Sequence, residues 1–237
     1  MVAKRHLIVN ADDFGLSSSV NEGIIKAHEQ GIVTSTSLIV CRPGAVEAAT
    51  YSREHQDLSF GLHVDLGEWA YRDGVWVPLY EVVSMEDIAA VSDQISYQLD
   101  TFRRLVGKDP THIDSHQHVH LREPVRSIVI DVARHLGVPL RHYSSEVRYC
   151  GDFYGQTVEG LSFPYGISVD RLMKILAALP PGRTELCCHP GEGVDLDTMY
   201  RGERLEEVKV LCDLRVRAAI SALEIELCSF NGIVAVS

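Results

Sequence analysis

The nine residues from His112 to His120 hold four of the chain's eleven histidines, together with one aspartate, Asp114. If this stretch is extended, alternate residues share one face, so the imidazoles and the carboxylate point the same way. Five such groups would span roughly 27 Å, too far for one metal, so only neighbours can meet at a single centre. Imidazole and carboxylate are what a divalent cation with an open coordination position needs. The pattern favours a metal centre over a histidine-rich surface strand.

Two adjacent carboxylates follow the first apolar stretch of the chain. Asp12 and Asp13 end a segment of apolar residues, where one carboxyl group would protonate unless a cation or hydrogen-bond donors lie nearby. The alternative is a helix N-cap pair, although the serines at positions 17–19 already supply caps. In a regular strand the two side chains diverge, so they share a site only if the backbone turns, and Gly15 permits a turn nearby.

Two further histidines also end apolar segments. His63 is followed by the competing candidate Asp65 on the same face, and a histidine in this position, taken alone, is more often a satisfied core residue than a metal ligand. His189 precedes a Pro-Gly turn. It is a candidate general acid or base near neutral pH, or else a turn histidine bonded to backbone.

Composition narrows the class of protein. The chain has 237 residues, 46% of them apolar, and a formal net charge of −11. The negative charge argues against nucleic acid or an anionic membrane as a partner, because nothing would neutralise phosphates. No apolar run has transmembrane length, and the first residues lead into a strand rather than a signal peptide. The six cysteines lack paired spacing and indicate reduced thiols, so we expect a cytoplasmic protein.

Strand and helix patterns alternate along the chain, which predicts a parallel sheet. The predicted strands cover residues 6–10, 33–41, 58–66, 112–120, 138–142, 184–188 and 225–230. The predicted helices cover 19–29, 45–52, 86–106, 124–137, 168–179 and 203–223, and the aromatic segments 67–83 and 144–166 are predicted to be irregular loops. No repeat or linker is evident, so residues 1–237 are predicted to form one catalytic domain.

The candidate catalytic and metal-ligating residues follow predicted strands one, three, four and six. They are Asp12 and Asp13, His63, the segment 114–116, and His189. Strand ends so far apart converge only if the sheet closes, whereas an open sheet gathers ligands at one switch point. We therefore predict an α/β fold, an irregular (β/α) barrel of about seven parallel strands.

Several segments together resemble the YdjC-like carbohydrate deacetylase family, whose members include chitooligosaccharide deacetylases. The resemblance runs from residue 6 to residue 230. The segments that carry it are Val9-Asn-Ala-Asp-Asp-Phe-Gly-Leu16, Gly61-Leu-His63, Thr111-His-Ile-Asp-Ser-His-Gln-His-Val-His120, Cys188-His-Pro-Gly191, Tyr200-Arg201 with Arg204-Leu-Glu-Glu-Val208, and Ile225-Glu-Leu-Cys-Ser-Phe230.

The resemblance implies a barrel of the glycoside hydrolase/deacetylase type with one divalent metal ion, Mg²⁺ or Zn²⁺. Motif by motif, it puts the metal ligands at Asp13, His63 and His116 and the catalytic base at Asp12, and we take His189 as the acid. The rest of the histidine segment becomes supporting or substrate-contacting groups. These are His112, Asp114, His118 and His120, of which Asp114 is the candidate for fixing the tautomer of a ligating histidine.

The reaction implied is hydrolysis of the N-acetyl group of an amino sugar or a chitooligosaccharide-like oligosaccharide. The expected partner is a small N-acetylated sugar, neither nucleic acid nor a membrane is expected, and a homodimer stays open. Aromatic residues of the two loops are candidates for stacking on sugar or for packing over the barrel rim: Trp69, Tyr71, Trp76, Tyr149, Phe153 and Tyr154. The alternatives are a lipid-linked N-acetylglucosamine (hopanoid-type) substrate, another metallohydrolase on the same barrel, and a non-catalytic binding protein.

Overall fold

A curled sheet of parallel strands forms the centre of the fold, in a computed structural model that describes residues 4–193 and 198–233. Its strands are β1 (Arg5–Phe14), β2 (Ser35–Leu38), β3 (Ser59–Val64), β6 (Ile113–Ser115), β7 (Arg148–Cys150), β8 (Gly182–Cys188) and β9 (Ile225–Cys228). A separate antiparallel hairpin consists of β4 (Gly67–Arg72) and β5 (Val75–Glu81). The large sheet has the order β6-β3-β2-β1-β8-β7, and β9 also pairs with β1. All its pairings are parallel, which confirms the predicted irregular barrel of about seven strands.

Helices cover the outside of the sheet. They are α1 (Ser18–Glu29), α2 (Ala45–Glu54), α3 (Ile88–Val106), α4 (Val125–Leu136), α5 (Val169–Ala178), α6 (Gly202–Leu211) and α7 (Leu214–Ala222). Local signals set several of their ends: Ser17 and Asp87 cap α1 and α3 with their side chains. None of the helices in the described ranges is long and apolar enough to cross a membrane.

Strand β1 lies in the middle of the sheet and carries the two aspartates at its carboxyl end. One edge of β1 pairs with β8, while the other pairs first with β9 and then with β2. Every residue from Leu7 to Phe14 is buried. The register against β2 shifts between Ala11 and Phe14, and Asp13 has a φ of 70°. This irregularity changes the direction of the side chains at the end of β1. The backbone turn that lets Asp12 and Asp13 face one site therefore occurs at Asp13 itself.

The histidine segment is not an extended strand, and its predicted alternation is wrong beyond Ser115. Strand β6 ends there, and a 3-10 helix covers His116–Leu121. Gln117 and His118 adopt left-handed backbone conformations, with φ values of 47° and 53°. The Ser115 hydroxyl accepts the backbone N–H of His120 at 3.1 Å and so stabilises the turn. The histidines therefore point to different surroundings rather than along one face.

Four other sequence-based assignments are also corrected. Segment 67–83 is the β4–β5 hairpin rather than a loop. The predicted fifth strand reduces to a single bridge between Ile113 and Leu140. The predicted helix 203–223 is two helices, because Asp213 leaves helical geometry and caps α7. Segment 144–166 includes the short strand β7 and the start of a 3-10 helix, Pro164–Ile167.

Gly61 on β3 gives a test of close packing behind the site. A Cβ atom at Gly61 would lie 2.4 Å from the ring of His112, which is itself stacked on Phe230 at 3.9 Å between ring centroids. We expect Gly61→Ala to lower the free energy of unfolding by about 1–3 kcal/mol through overpacking, as measured by urea denaturation. Gly202→Ala is the matched control, because a Cβ there meets no atom within 4 Å. Equal stability of both variants would contradict the packing argument.

Candidate active site

A cavity of about 720 Å³ lies at the carboxyl ends of the parallel strands. Its walls include the charged and titratable side chains Asp12, Asp13, His63, His116, His189 and Arg204. The structure thus brings together the candidate metal ligands and both candidate acid–base residues. The curl of the parallel sheet explains this, since these residues come from the carboxyl ends of four strands and from helix α6.

Asp13, His63 and His116 form a compact buried cluster. His116 Nδ1 lies 3.0 Å from Asp13 Oδ1, and His63 Nε2 lies 3.3 Å from the same oxygen. Each residue offers one ligand atom within 4.8 Å of the other two. Burial alone would lower the pKa of His116, but the charge of Asp13 raises that pKa to about 9. The cluster has the donor set of a divalent cation site with two imidazoles and one carboxylate.

The ring of His63 is oriented from behind by Asp114. His63 Nδ1 lies 2.7 Å from Asp114 Oδ1 and 3.1 Å from the Ser37 hydroxyl. A proton held on Nδ1 by the carboxylate leaves the lone pair of Nε2 facing Asp13. This is the usual arrangement for a metal-ligating histidine, and it fits the tautomer-fixing role predicted for Asp114.

A fully buried arginine neutralises the carboxylates around the candidate base. Arg141 donates to both oxygens of Asp12, at 2.6 and 2.8 Å, and also contacts Asp114 Oδ2 at 2.8 Å. Its Nε donates to Glu185 at 2.8 Å. Burial alone would raise the pKa of Asp12, but the charge and hydrogen bonds of Arg141 hold that pKa well below its usual range. Asp12 is therefore ionised at neutral pH.

His189 lies beside Asp12 but is not strongly paired with it. Its Nε2 is 3.9 Å from Asp12 Oδ2, and its Nδ1 is buried with no hydrogen-bond partner among the described residues. Burial lowers the pKa of His189 to about 4, so the imidazole is neutral at rest. The backbone N–H of His189 donates to Glu207, whose own pKa is raised to about 8 by burial.

A second buried arginine holds the other aspartate. Arg204 Nη2 donates to Asp13 Oδ2 at 2.6 Å, and its Nε donates to the carbonyl oxygen of Tyr200 at 2.9 Å. Burial alone would raise the pKa of Asp13, but the charges of Arg204 and His116 keep that pKa well below its usual range. The two adjacent carboxylates thus have separate cationic partners and take separate positions in the cavity.

The other residues of the histidine segment have different surroundings. His112 packs behind the site, beneath Gly61 and against Phe230. His118 lines the cavity, and its Nε2 lies 3.2 Å from the Tyr149 hydroxyl. His120 is buried, with Nδ1 beside the Ser115 hydroxyl. None of these three joins the Asp13 cluster.

The β4–β5 hairpin forms one wall of the cavity and is tied to the segment that follows His116. Trp69 and Gln117 exchange two hydrogen bonds, of 2.9 and 2.8 Å, between the backbone of one and the side-chain amide of the other. Glu68 lies 3.7 Å from His116 Nε2. The cavity-lining aromatic residues are Trp69, Trp76, Tyr149, Phe153, Tyr154 and Tyr200, whereas Tyr71 is not among them.

Sequence reasoning did not select Arg141, Arg204 or Glu68. Arg204 falls within a segment that carries the family resemblance, and this is the one sequence feature that could have identified it as a site residue. Arg141 follows a short apolar stretch like many surface arginines, and its partner Asp12 is 129 positions away. Glu68 lies in a segment that had been predicted to be a loop.

Comparison with known proteins identifies relatives along the whole chain. The family described as YdjC-like protein matches residues 6–222. The chitooligosaccharide deacetylase of Serratia marcescens is 31% identical, over 96% of this chain and 98% of that protein. The carbohydrate deacetylase of Geobacillus stearothermophilus is 30% identical, over 96% and 97% of the two chains.

Two solved structures show the same fold. A candidate cellobiose-phosphate cleavage protein of Enterococcus faecalis V583 superposes with a TM-score of 0.76, at 24% identity over 98% of this chain and 100% of that chain. A family 4 carbohydrate esterase of Streptomyces lividans, in complex with acetate, has a TM-score of 0.55 at 13% identity, over 100% and 99% of the two chains. At these identities the likeness concerns the fold alone.

The buried charge of Arg141 leads to a prediction about stability and pH. Arg141→Met removes the main group that opposes the effect of burial and leaves only the weaker effects of His63 and His189, so the pKa of Asp12 should rise above its ordinary value of about 3.9. Below a pH of about 3.9, Asp12 is protonated in both the folded and the unfolded variant and does not destabilise the fold. As the pH rises through the raised pKa, the buried carboxylate ionises and the variant loses stability. We expect a loss of about 3–5 kcal/mol at pH 8 and a smaller loss at pH 5, measured by urea unfolding at both pH values.

The matched control for this substitution is Arg134→Met, at an exposed arginine on α4. Its stability should stay within about 0.5 kcal/mol of wild type at both pH values. If Arg141→Met lost the same stability at pH 5 as at pH 8, charge neutralisation would not be the role of Arg141.

Proposed function

Because the chain belongs to the YdjC-like protein family, we propose that it is a metal-dependent carbohydrate deacetylase that removes the N-acetyl group from an amino sugar or oligosaccharide. One observation carries the proposal: an ionised, arginine-held Asp12 and the Asp13–His63–His116 cluster face one cavity. The two relatives at 30% identity or above bear the names of carbohydrate and chitooligosaccharide deacetylases, which supports this substrate class.

The proposed cation ligands are Asp13, His63 and His116. The residues fit a divalent ion, since two imidazoles converge on one carboxylate oxygen and the buried His116 Nε2 has no hydrogen-bond partner within residues 4–193 and 198–233. When bound, a cation there would polarise the acetamide carbonyl and lower the pKa of a water molecule. Zn²⁺ suits this donor set and Mg²⁺ is the alternative.

Asp12 is the proposed general base. Its carboxylate stays ionised because Arg141 neutralises it, and it borders the cavity next to the Asp13 cluster. The same interaction makes Asp12 a weak proton acceptor. It therefore works by orienting the attacking water and accepting its proton as the oxygen adds to the acetamide carbon.

His189 is the proposed general acid. The imidazole is neutral at rest, so it must gain a proton during the reaction before it can donate one. Asp12 Oδ2, 3.9 Å away, is the group from which the water's proton can pass to His189 Nε2. The imidazolium then protonates the amide nitrogen as the carbon–nitrogen bond breaks. The products are acetate and a free amino sugar, and the remaining acid proton passes to solvent.

The substrate is proposed to be a chitooligosaccharide-like sugar that enters between the hairpin and the segment around Tyr149. Trp69 and Trp76 line one wall of the cavity, and Tyr149 and Tyr154 line another. Aromatic rings of this kind present apolar faces of the size of a pyranose ring, with hydroxyl or N–H groups for polar contacts. The whole chain is proposed to form one catalytic domain.

Substitution of the proposed base is the first test of the reaction. In Asp12→Asn the side chain keeps its size but cannot accept a proton. We expect acetate release from N-acetylated chitooligosaccharides to fall by about 10²–10⁴-fold, measured enzymatically in the presence of Zn²⁺ or Mg²⁺. Asp131→Asn, at an exposed carboxylate on α4, should retain wild-type activity. An Asp12→Asn variant with full activity would remove Asp12 from the base role.

Removal of divalent ions is the second test. Treatment of the wild-type chain with a chelator should abolish acetate release, because the carbonyl and the water would no longer be activated. Addition of Zn²⁺ or Mg²⁺ after dialysis should restore it, and the better ion identifies the preferred metal. Undiminished acetate release by protein that contains no metal by elemental analysis would refute metal dependence.

A further inference from the structure

Three histidines outside the Asp13 cluster lie close together. His118 and His120 belong to the 3-10 helix after β6, and His142 follows the Leu140 bridge on a separate segment. Each can present a ligand nitrogen within 4.8 Å of the other two. None of the three is shared with the Asp13, His63 and His116 cluster.

The available lone pairs of this group lack partners. His118 Nδ1 and His120 Nε2 are buried and have no hydrogen-bond partner among the described residues. The other nitrogen of each ring is engaged, by the Tyr149 hydroxyl at 3.2 Å for His118 and by the Ser115 hydroxyl for His120. A histidine ring held at one nitrogen with its other nitrogen free is the typical preparation for metal ligation.

The backbone also takes unusual conformations in both segments. His118 and His142 have φ values of 53° and 69°, which residues other than glycine rarely adopt. Gln117, next to His118, has a φ of 47°. Conformations of this kind persist where the surrounding structure holds them, and they cluster at binding sites. Here they turn imidazoles from two segments towards one point.

We propose that His118, His120 and His142 form a second metal site for a transition-metal ion such as Zn²⁺. Three imidazoles without a carboxylate favour Zn²⁺, Cu²⁺, Ni²⁺ or Co²⁺ over Mg²⁺. Tetrahedral zinc, with zinc–nitrogen bonds of about 2.0–2.1 Å, brings its donors roughly 3.4 Å apart. The rings must therefore close slightly, and His142 is the exposed member of the three. The fourth position is left for water.

The site lies between two cavities and joins two functional segments. His118 lines the cavity that contains Asp12, while His142 lines a neighbouring cleft of about 850 Å³. Arg141 directly precedes His142, and His116 begins the 3-10 helix that carries His118 and His120. A metal bound there would cross-link the segment of Arg141 to the segment of His116. The inference rests on this geometry and does not depend on the proposed reaction.

Zinc stoichiometry tests the proposal directly. The full-length chain is stripped with a chelator and equilibrated with excess Zn²⁺ by dialysis, and bound metal is measured by elemental analysis. We expect two equivalents in wild type, one in His142→Asn, one in His116→Asn and none in the double variant. Asparagine is chosen at position 142 because it tolerates a positive φ better than alanine.

Matched controls separate loss of the site from loss of the fold. His135→Asn, at an exposed histidine on α4, should retain two equivalents. His118→Asn, also at a left-handed position, should lose the same single equivalent as His142→Asn. Circular dichroism of each variant checks that it is folded.

Crystals of the wild-type chain soaked in Zn²⁺ and measured at the zinc edge make the outcome independent of any variant. An anomalous peak between His118, His120 and His142 is expected beside the one at Asp13. Absence of that peak would overturn the proposal. The proposal would also be overturned if the wild-type chain bound one equivalent of zinc and both His142→Asn and His118→Asn retained it. His118 and His142 would then serve only to pack against Tyr149, whose ring centroid lies 5.4 and 4.3 Å from theirs.

Discussion

The structure around the candidate site depends on one buried guanidinium. Arg141 is completely shielded from solvent and contacts three carboxylates, those of Asp12, Asp114 and Glu185. Buried carboxylates without a cation would take up protons or destabilise the fold. By pairing with Asp12 and Asp114 at once, Arg141 links the residue proposed as base to the residue that orients His63. The ionisation of one and the geometry of the other therefore have a common cause.

The second constraint is the turn at the end of β1. Adjacent strand residues point to opposite faces, yet Asp12 and Asp13 both reach the cavity because the strand is irregular there and Asp13 is left-handed. Each carboxylate then meets its own arginine, Arg141 or Arg204. This arrangement keeps two like charges ionised side by side, as the proposed roles of Asp13 as a ligand and Asp12 as a base both require.

In the histidine segment, a short backbone irregularity directs histidines that are regularly spaced in the sequence into different surroundings. The left-handed turn at Gln117 and His118 separates His116, which faces Asp13, from His118 and His120, which face the segment of His142. The same turn places the Gln117 amide against Trp69, so hydrogen bonds join the hairpin wall to the segment that begins with the candidate ligand His116. A strand at this position would have aligned the imidazoles but could not have distributed them between the two histidine clusters.

The sequence by itself determined the fold class, because alternating strand and helix patterns admit few architectures, and its motifs matched the family that supplied the candidate residues Asp13, His63 and His116. The pleat of a strand could not choose among the histidines, since the turn after Ser115 removes the alternation on which that reasoning depended. Only the tertiary structure decided the role of Arg141, whose partner is 129 positions away. Neutralisation of buried charge depends on distances between remote segments, and a local pattern of residues does not contain those distances.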